Sequence, residues 1–351
     1  MAVTAQAGVF SFGPQASKGT LATVFHRHRA VDVDLGIQDD VRLGQLEVGG
    51  LPVPTFPYKA GYVIGGGASL QPRLENTFGW LLYGALGKCT SDVVVGNADV
   101  YDHTFEMAAD GTAVPWMSMR KYIPGLSGDL YTDLGETYKD LKVLGLAFQM
   151  GSDTPLNARI DSLGREFALS DAGDAFTYSA EFEDWESIPV ACMTDGYINV
   201  DSVDLPVVQA TFQWQNQPLD IRQEKIIGSP MIDDVTILTR QLAVDLMVKY
   251  NNAELYRKVL TGEIDGTEWT GTPFTAPLDI KTVSSVNMPS ETIPYSLRCQ
   301  ADEIQLQQVG GIRLGAGQAI FMRFQGVALD TGGQYAKLTL RNKVAAYNWP
   351  T

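Results

Sequence analysis

The sequence predicts a mainly β protein made of two domains, each carrying one short helix. Short runs rich in Val, Ile, Thr and aromatic residues recur along the 351 residues, bounded by Gly, Pro, Asn and Asp. Convincing helical patterns are confined to two short segments. The glycines that follow these two segments, Gly87 and Gly262, stand about half a chain apart. Strands with two isolated helices at such a spacing indicate two β domains of similar plan.

The strand predictions rest on composition and on alternation of apolar and polar residues. Val235–Tyr250 shows the alternation best, with Leu238, Leu242, Val244, Leu246 and Val248 on the predicted buried face and Gln241, Asp245 and Lys249 opposite. The predicted strands are Leu21–Leu35, Trp116–Ile123, Leu141–Gln149, Ala158–Leu169, Val207–Trp214, Val235–Tyr250, Tyr295–Gln308, Ala319–Leu329 and Ala336–Leu340.

The two helices are predicted from an apolar stripe and from residues typical of helix ends. The first covers Leu74–Leu86, with Pro72 just before it and Gly87 just after it. The second covers Asn252–Leu260, with Asn251 or Asn252 as the N-cap and Gly262 as the C-cap. Both are short, and their apolar stripes need a partner surface.

The order of Gly-x-Pro, extended segment, helix and glycine occurs twice. We therefore predict a tandem duplication with its boundary near Phe176–Asp195. The first domain is predicted at residues 1–180 with a helix near 73–87, and the second at 181–351 with a helix near 251–261.

The charge argues against several classes of function, although it leaves open a protein along which DNA slides. The formal net charge is −15 and the pI is about 4.6. Proteins that bind DNA, RNA or an anionic membrane need clustered Lys and Arg, so none of these surfaces is an expected partner. Good solubility is the simplest reading of the acidic balance.

The cysteines and the start of the sequence predict a protein that is made in a reducing cytoplasm. Cys89, Cys192 and Cys299 are far apart and odd in number, which disfavours a disulfide framework and a zinc knuckle. The start of the sequence has no basic segment followed by a long apolar run, so a secretory signal is not expected. The apolar segment Phe78–Leu86 is too short to span a bilayer.

No catalytic, cofactor-binding or metal-binding residue is predicted. His26 and His28 alternate in a predicted strand whose register also holds Asp32 and Asp34, a pattern that could bind a metal given further ligands. A polar strand face at an interface is the favoured interpretation. His103 has no nucleophile motif beside it, although sequence order alone leaves a Ser-His-Asp triad open. The expectation is a protein that is not an enzyme.

A pattern spread over most of the chain resembles the tail tube, or major tail, proteins of long-tailed bacteriophages, in their larger two-domain form. Its pieces are weak singly, and their order carries the resemblance. They are Phe12–Gln15, Gly19–Thr23, Gly61–Leu70 leading into Arg73–Gly87, His103–Glu106, Pro115–Lys121, Tyr138–Ala147, Gln209–Asn216, Gly228–Pro230 and Val235–Tyr250.

The resemblance implies a fold and an assembly. Each domain would be two packed antiparallel sheets, a sandwich or barrel, flanked by one helix. Subunits would form rings in which strands of neighbours join into an inner barrel, and the rings would stack into a tube. A two-domain chain would give a trimeric, pseudo-hexameric ring.

The same resemblance implies location and partners. The protein would be made in the host cytoplasm and would end in the tail of the virion. Its partners would be further copies of itself and the tape measure, tail terminator and tail tip proteins. Genomic DNA would pass through the lumen without specific binding, and an acidic lumen would help by repelling phosphates.

Two other functions are weighed against this one. A β-sandwich module that decorates a phage particle or binds a host receptor is the alternative. An aromatic groove over a polar rim would favour this alternative, whereas the six tryptophans are scattered along the chain. A hydrolase of cell-wall polymers comes third.

Overall fold

The computed structural model describes residues 8–45, 48, 53, 56–109, 114–124, 133–170, 178, 183, 185–190, 195–312, 314–316, 318–332 and 335–350. This part of the chain is mainly β, with 18 strands and two α-helices. The pairings between these strands are antiparallel. The predicted class, a mainly β protein with antiparallel sheets, is therefore confirmed.

The described residues from 9 to 170 form ten strands and the first helix. They are β1 (Val9–Pro14), β2 (His26–Arg27), β3 (Ala30–Val33), β4 (Gly36–Leu43), β5 (Pro57–Leu70), α1 (Phe78–Leu86), β6 (Gly87–Val94), β7 (Asn97–Met107), β8 (Met117–Ile123), β9 (Leu134–Gly151) and β10 (Asn157–Ser170).

The described residues from 197 to 342 form eight strands and the second helix. They are β11 (Tyr197–Val200), β12 (Val203–Asp204), β13 (Val207–Pro218), β14 (Ile237–Lys249), α2 (Glu254–Thr261), β15 (Phe274–Asn287), β16 (Pro294–Gln308), β17 (Phe321–Ala328) and β18 (Ala336–Asn342). Eight of the nine predicted strands correspond to β8, β9, β10, β13, β14, β16, β17 and β18.

The predicted strand Leu21–Leu35 is wrong as a single element. Only His26–Arg27 and Ala30–Val33 are strands there. Phe25 and His26 are adjacent, and both are buried. Successive side chains of a regular strand point to opposite faces, so a one-sided strand cannot bury both. The chain bends here to place both rings in the core.

Strand β14 keeps the predicted alternation except at Leu238. Leu242, Val244, Leu246 and Val248 are buried, but Leu238 is 60% exposed. The pairing with β13 shifts at this point, because Gln217 pairs with Thr239 and Pro218 pairs with Ile237. Leu238 is the extra residue of this bulge, and a bulge of one residue exchanges the two faces.

Helix α1 begins later than predicted, at Phe78, and ends as predicted at Gly87, whose φ is 91°. The backbone carbonyl of Leu74 accepts a hydrogen bond from Asn342 Nδ2 at 3.0 Å, and that of Asn76 accepts one from the Tyr347 hydroxyl at 2.6 Å. The C-terminal segment thus donates hydrogen bonds to two carbonyls that would accept from backbone N–H groups if α1 began at Leu74.

Helix α2 follows its prediction closely. It ends at Gly262, which has a φ of 80°. The residue before the helix is Ala253, but the Asn252 side chain accepts a hydrogen bond from the Glu254 backbone N–H at 3.2 Å. The predicted cap residue therefore does satisfy one of the free N–H groups at the helix start.

One sheet runs through both parts of the chain, and one strand order occurs in it twice. Its neighbours are β4–β5–β10–β9–β13–β14–β17–β16. In the first four strands, the β4–β5 hairpin precedes α1, the β9–β10 hairpin follows α1, and β10 lies beside β5. In the second four strands, the β13–β14 hairpin precedes α2, the β16–β17 hairpin follows α2, and β17 lies beside β14.

The two groups of four strands share one hydrophobic core. Phe148 of β9 and Trp214 of β13 belong to the same buried cluster as Leu82 of α1 and Phe324 of β17. β18, which pairs with β16 of the second group, also pairs with β7. The two groups thus have the same strand connectivity, and their side chains pack into one continuous core. Much of the predicted boundary near Phe176–Asp195 lies outside the described residues, and the two-domain division stays a prediction.

Candidate assembly interface

One face of the continuous sheet is polar, neutral and rich in glutamine. Along β13, β14, β16 and β17 most apolar side chains alternate inward, which leaves an outer face that is mainly polar and includes Ala243 and Val327. Its central members are Thr211, Gln213, Gln215, Gln241, Asp245, Gln305, Gln307, Arg323 and Gln325. This surface is called the glutamine face below.

The main ion pair on the glutamine face joins two neighbouring strands. Arg323 of β17 binds Asp245 of β14 through two nitrogens, with N–O distances from 2.5 to 3.1 Å. Gln325 Nε2 donates to the same carboxylate at 2.9 Å. The hydrogen bond from Arg323 lowers the pKa of Asp245. Asp245 is therefore ionised at neutral pH, and its charge is compensated.

Three other acids, which lie on or beside strands, are also paired with arginine. Asp279 is bound by Arg298 at 2.8 Å, and Asp102 by Arg341 at 2.6 Å. Arg159 joins Asp34 at 2.7 Å. The net charge of −15 is thus not concentrated at these positions.

The junction between the two groups of strands is a regular ladder. Seven consecutive residues of β13, from Gln209 to Gln215, pair with Gly151 to Gly145 of β9. Asn216 Nδ2 and the Arg240 guanidinium donate to the Ala85 carbonyl at 3.0 and 3.3 Å, and Arg240 also donates to the Leu86 carbonyl at 2.8 Å. The second group therefore caps the C-terminal end of α1.

The first group presents an open strand edge. β3 and β4 both pair with β5, and no other described strand pairs with either. Val31, Val41 and Leu43 on these strands are between 56% and 72% exposed. An unpaired edge with exposed apolar side chains is a site for strand addition.

The opposite end of the sheet is β16. Its C-terminal residues pair with β17 on one side. On the other side, Ile304, Gln305 and Leu306 pair with Ala276, Thr275 and Phe274 of β15. Among the described strands, the sheet therefore has an open edge at β3–β4, whereas its edge at β16 is covered by β15.

The two histidines of the suggested metal pattern are buried beside aromatic rings. His26 stacks on Trp80 with ring centroids 5.1 Å apart, and His28 Nδ1 lies 2.9 Å from the Thr77 hydroxyl. Burial lowers the pKa of each to about 4. Asp34 instead faces Arg159, so the four residues do not converge. No group of three potential metal ligands occurs among the described residues.

His103 lies in a chain of polar groups that sequence reasoning missed. Its Nδ1 lies 2.8 Å from the Ser91 hydroxyl, and its Nε2 lies 2.9 Å from Asn342 Oδ1. Because that amide oxygen only accepts, Nε2 carries the proton and Nδ1 accepts from Ser91. Ser91 has no motif around it, and only the pairing of β6 with β7 brings it to His103.

A serine beside an unprotonated histidine nitrogen is also the pair that nucleophilic catalysis uses. Here His103 is fully buried, and its ring lies 4.7 Å from that of Tyr347. Asn342 Nδ2 is bound to the Leu74 carbonyl and the Tyr347 hydroxyl. These contacts connect β6, β7 and β18 and the start of α1, which is a structural role.

Both ends of the described chain pack against α1. Phe10 and Phe12 of β1 are buried, and β1 pairs with β8. Tyr347 is buried, and Trp349 Nε1 donates to the Gln15 carbonyl at 2.8 Å. Gly79 is required here, since a Cβ would lie 2.1 Å from the Tyr347 ring. Residues 9–14 and 343–350 thus make contacts within the chain.

Comparison with known proteins finds no matching family model and no matching curated sequence. Within the described residues, no helix has the length and apolar character needed to cross a membrane.

Proposed function

We propose that the chain is a structural protein of a phage virion that assembles into stacked rings forming the tube of a long-tailed bacteriophage. Each ring contains three chains and has pseudo-sixfold symmetry, because every chain contributes two similar groups of four strands. The tube is the conduit for DNA ejection. The sequence resemblance described above motivates this proposal, and the repeated strand order carries it.

The repeated order supports a closed ring through the geometry of the sheet. Within one chain, β9 of the first group pairs with β13, the first strand of the second group. A second copy could continue the sheet in the same sense, by placing its β3–β4 edge against β16. This contact is head-to-tail, so repetition closes a ring when the rotation fits. Closure removes the exposed edges.

The glutamine face supports the role of a conduit. Amide and compensated Asp–Arg groups offer hydrogen bonds but little net positive charge, and tight DNA binding depends on neutralising phosphates with Lys and Arg. If this face lines the lumen, DNA passes without adhering. The helices pack against the opposite, apolar face of the sheet, where α1 lies against β9 and α2 against β15 and β16.

The proposal also assigns partners and place. Copies of the chain are the main partner, and the tape measure, tail terminator and tail tip proteins meet the tube along its lumen and at its ends. The protein is made in the host cytoplasm and functions in the virion. The alternative remains a β-sandwich module that decorates the particle or binds a receptor.

Electron microscopy of the purified chain tests the proposal. Rings or tubes with a central channel are expected. Discrete particles with no channel at every concentration would favour the decoration or receptor-binding alternative and contradict the tube.

A further inference from the structure

We infer that the segment Phe274–Ala276 covers the β16 edge in the free chain and must leave it before a second copy of the chain can join. This inference rests on the proposed ring and names the strand that regulates its closure. The segment is called the β15 strap below. It comprises the first three residues of β15.

The two hairpins that follow the helices show what the strap replaces. In the first group, the N-terminal part of β9 pairs with β8 as far as Leu141, and its C-terminal part pairs with β13 from Gly145 onward. One edge of β9 thus carries two different strands in succession. The second of these strands begins the next group of four.

The corresponding edge of β16 has the same two parts, but a single strand, β15, pairs with both of them. Leu278 of β15 pairs with Ala301, and Ala276 pairs with Ile304, so that Pro277 lies at a bulge opposite two residues of β16, Asp302 and Glu303. The other neighbour also changes at this point, since β18 pairs as far as Ala301 and β17 from Ile304. Ile304–Leu306 therefore correspond to the part of β9 that receives β13. In β16 the strap takes that position.

Apart from its three ladder pairs, the strap is held by the buried Ala276 and by Phe274, which packs against the core. Thr275 and Phe274 are only half-buried, and Pro277 is exposed. The residues before the strap, 262–273, are mostly exposed, with Trp269 78% exposed. Pro277 has no backbone N–H and interrupts the ladder at the bulge. The strap can therefore separate from β16 while Leu278–Val283 remain paired.

The occupant that the position fits is the β3–β4 edge of a second copy. That edge is unpaired among the described strands, and in the repeated order β3 and β4 stand where β13 stands in the second group. The exchange replaces three pairs made by the strap with a longer ladder, like the seven residue pairs of the β13–β9 junction. The strap delays assembly, and contact with a second copy overcomes it.

A reversible cross-link tests this inference. Thr275→Cys with Gln305→Cys places two cysteines on directly opposite residues, at a separation suited to a disulfide. The matched control is Gln307→Cys with Gln325→Cys, which links β16 to β17 on the same glutamine face. The control link lies within one group of four strands and does not close the β16 edge.

Both variants are compared with the parent, oxidised and reduced, by electron microscopy and native mass spectrometry. The oxidised strap variant is expected to lose ring formation and to regain it on reduction, while the oxidised control forms rings. Rings from the oxidised strap variant in the same yield as from the control would overturn the inference. Failure of the parent itself to form rings would instead contradict the proposed function.

A second variant weakens the strap. Phe274→Pro is expected to lower several-fold the protein concentration at which rings first appear, since it removes the backbone N–H that faces Leu306 and the ring that packs against the core. An unchanged or higher concentration threshold, with an unchanged melting temperature, would contradict the inference.

Discussion

Phe148 of β9 and Phe212 of β13 are directly paired across the junction between the two groups of strands. Their rings stack with centroids 4.8 Å apart and an angle of 20° between the planes. Both side chains are buried, with at most 1% exposed. An aromatic pair at this position couples the two groups into one folding unit, because neither ring can be exposed without loss of buried apolar area.

Phe212→Ala should therefore destabilise the whole chain by about 3–5 kcal/mol, the range for buried Phe-to-Ala changes. Chemical denaturation followed by both fluorescence and circular dichroism should still give one transition. Gln213→Ala, the next residue on the glutamine face, is the control and should change stability by less than about 0.5 kcal/mol. Two separate transitions in the parent would show that the groups unfold independently.

Leu82 is fully buried in α1. Leu82→Asp should lower the free energy of unfolding by several kcal/mol, since it buries a charge with no partner. Leu82→Met keeps the volume and should cost less than about 1.5 kcal/mol. Thermal melting of both variants is the measurement, and an Asp variant that melts with the parent would show that α1 is not packed as described.

Stability should fall as the pH is lowered through the range set by His26 and His28. Their folded pKa of about 4 lies below the ordinary 6.5, so between these values the unfolded chain binds protons that the folded chain does not. The stabilisation is complete above pH 6.5 and is lost progressively toward pH 4. His28→Asn should flatten this dependence by up to about 1.4 kcal/mol per pH unit.

Glu183 acts in the opposite sense and must be separated from the histidines. Burial raises its pKa to about 7, and the Thr77 backbone N–H donates to its carboxylate. Its contribution is present below the ordinary value of 4.5 and is lost as the pH rises through 7. A Glu183→Gln background therefore isolates the histidine effect. A parent and a His28→Asn variant with the same pH slope in that background would contradict the account.

The Arg323–Asp245 ion pair on the glutamine face leads to a prediction about DNA binding by the assembled protein. Asp245→Asn leaves the Arg323 charge uncompensated, so assembled particles of this variant should retain duplex DNA more strongly than the parent at low salt. Gel-shift measurements at several salt concentrations test this, with Gln241→Asn as the control. Tight, salt-sensitive binding by the parent would contradict a passive conduit.

The sequence predicted the mainly β class and the C-terminal ends of both helices because these depend on local chemistry. Gly87 and Gly262 adopt the positive φ that favours glycine at a helix C-terminus. The alternation of Val244 and Asp245 likewise follows from the strand itself. Such features need no knowledge of distant residues.

What the sequence could not predict depends on contacts between distant segments. The bulge that exposes Leu238 arises from the pairing with β13. The late start of α1 arises from hydrogen bonds made by Asn342 and Tyr347, more than 260 residues away. The polar strands β6 and β7 were not predicted, because their composition is not typical of strands. They are stabilised by pairing with each other, and β7 also pairs with β18.

The stoichiometry of the assembled particle tests the central claim most directly. Native mass spectrometry of the purified chain, combined with averaged electron-microscope images, measures it. The account predicts a species with three times the 38.2 kDa mass of the chain, and rings with six similar lobes around a channel. A stable monomer at every concentration, with no rings or tubes in the images, would contradict it.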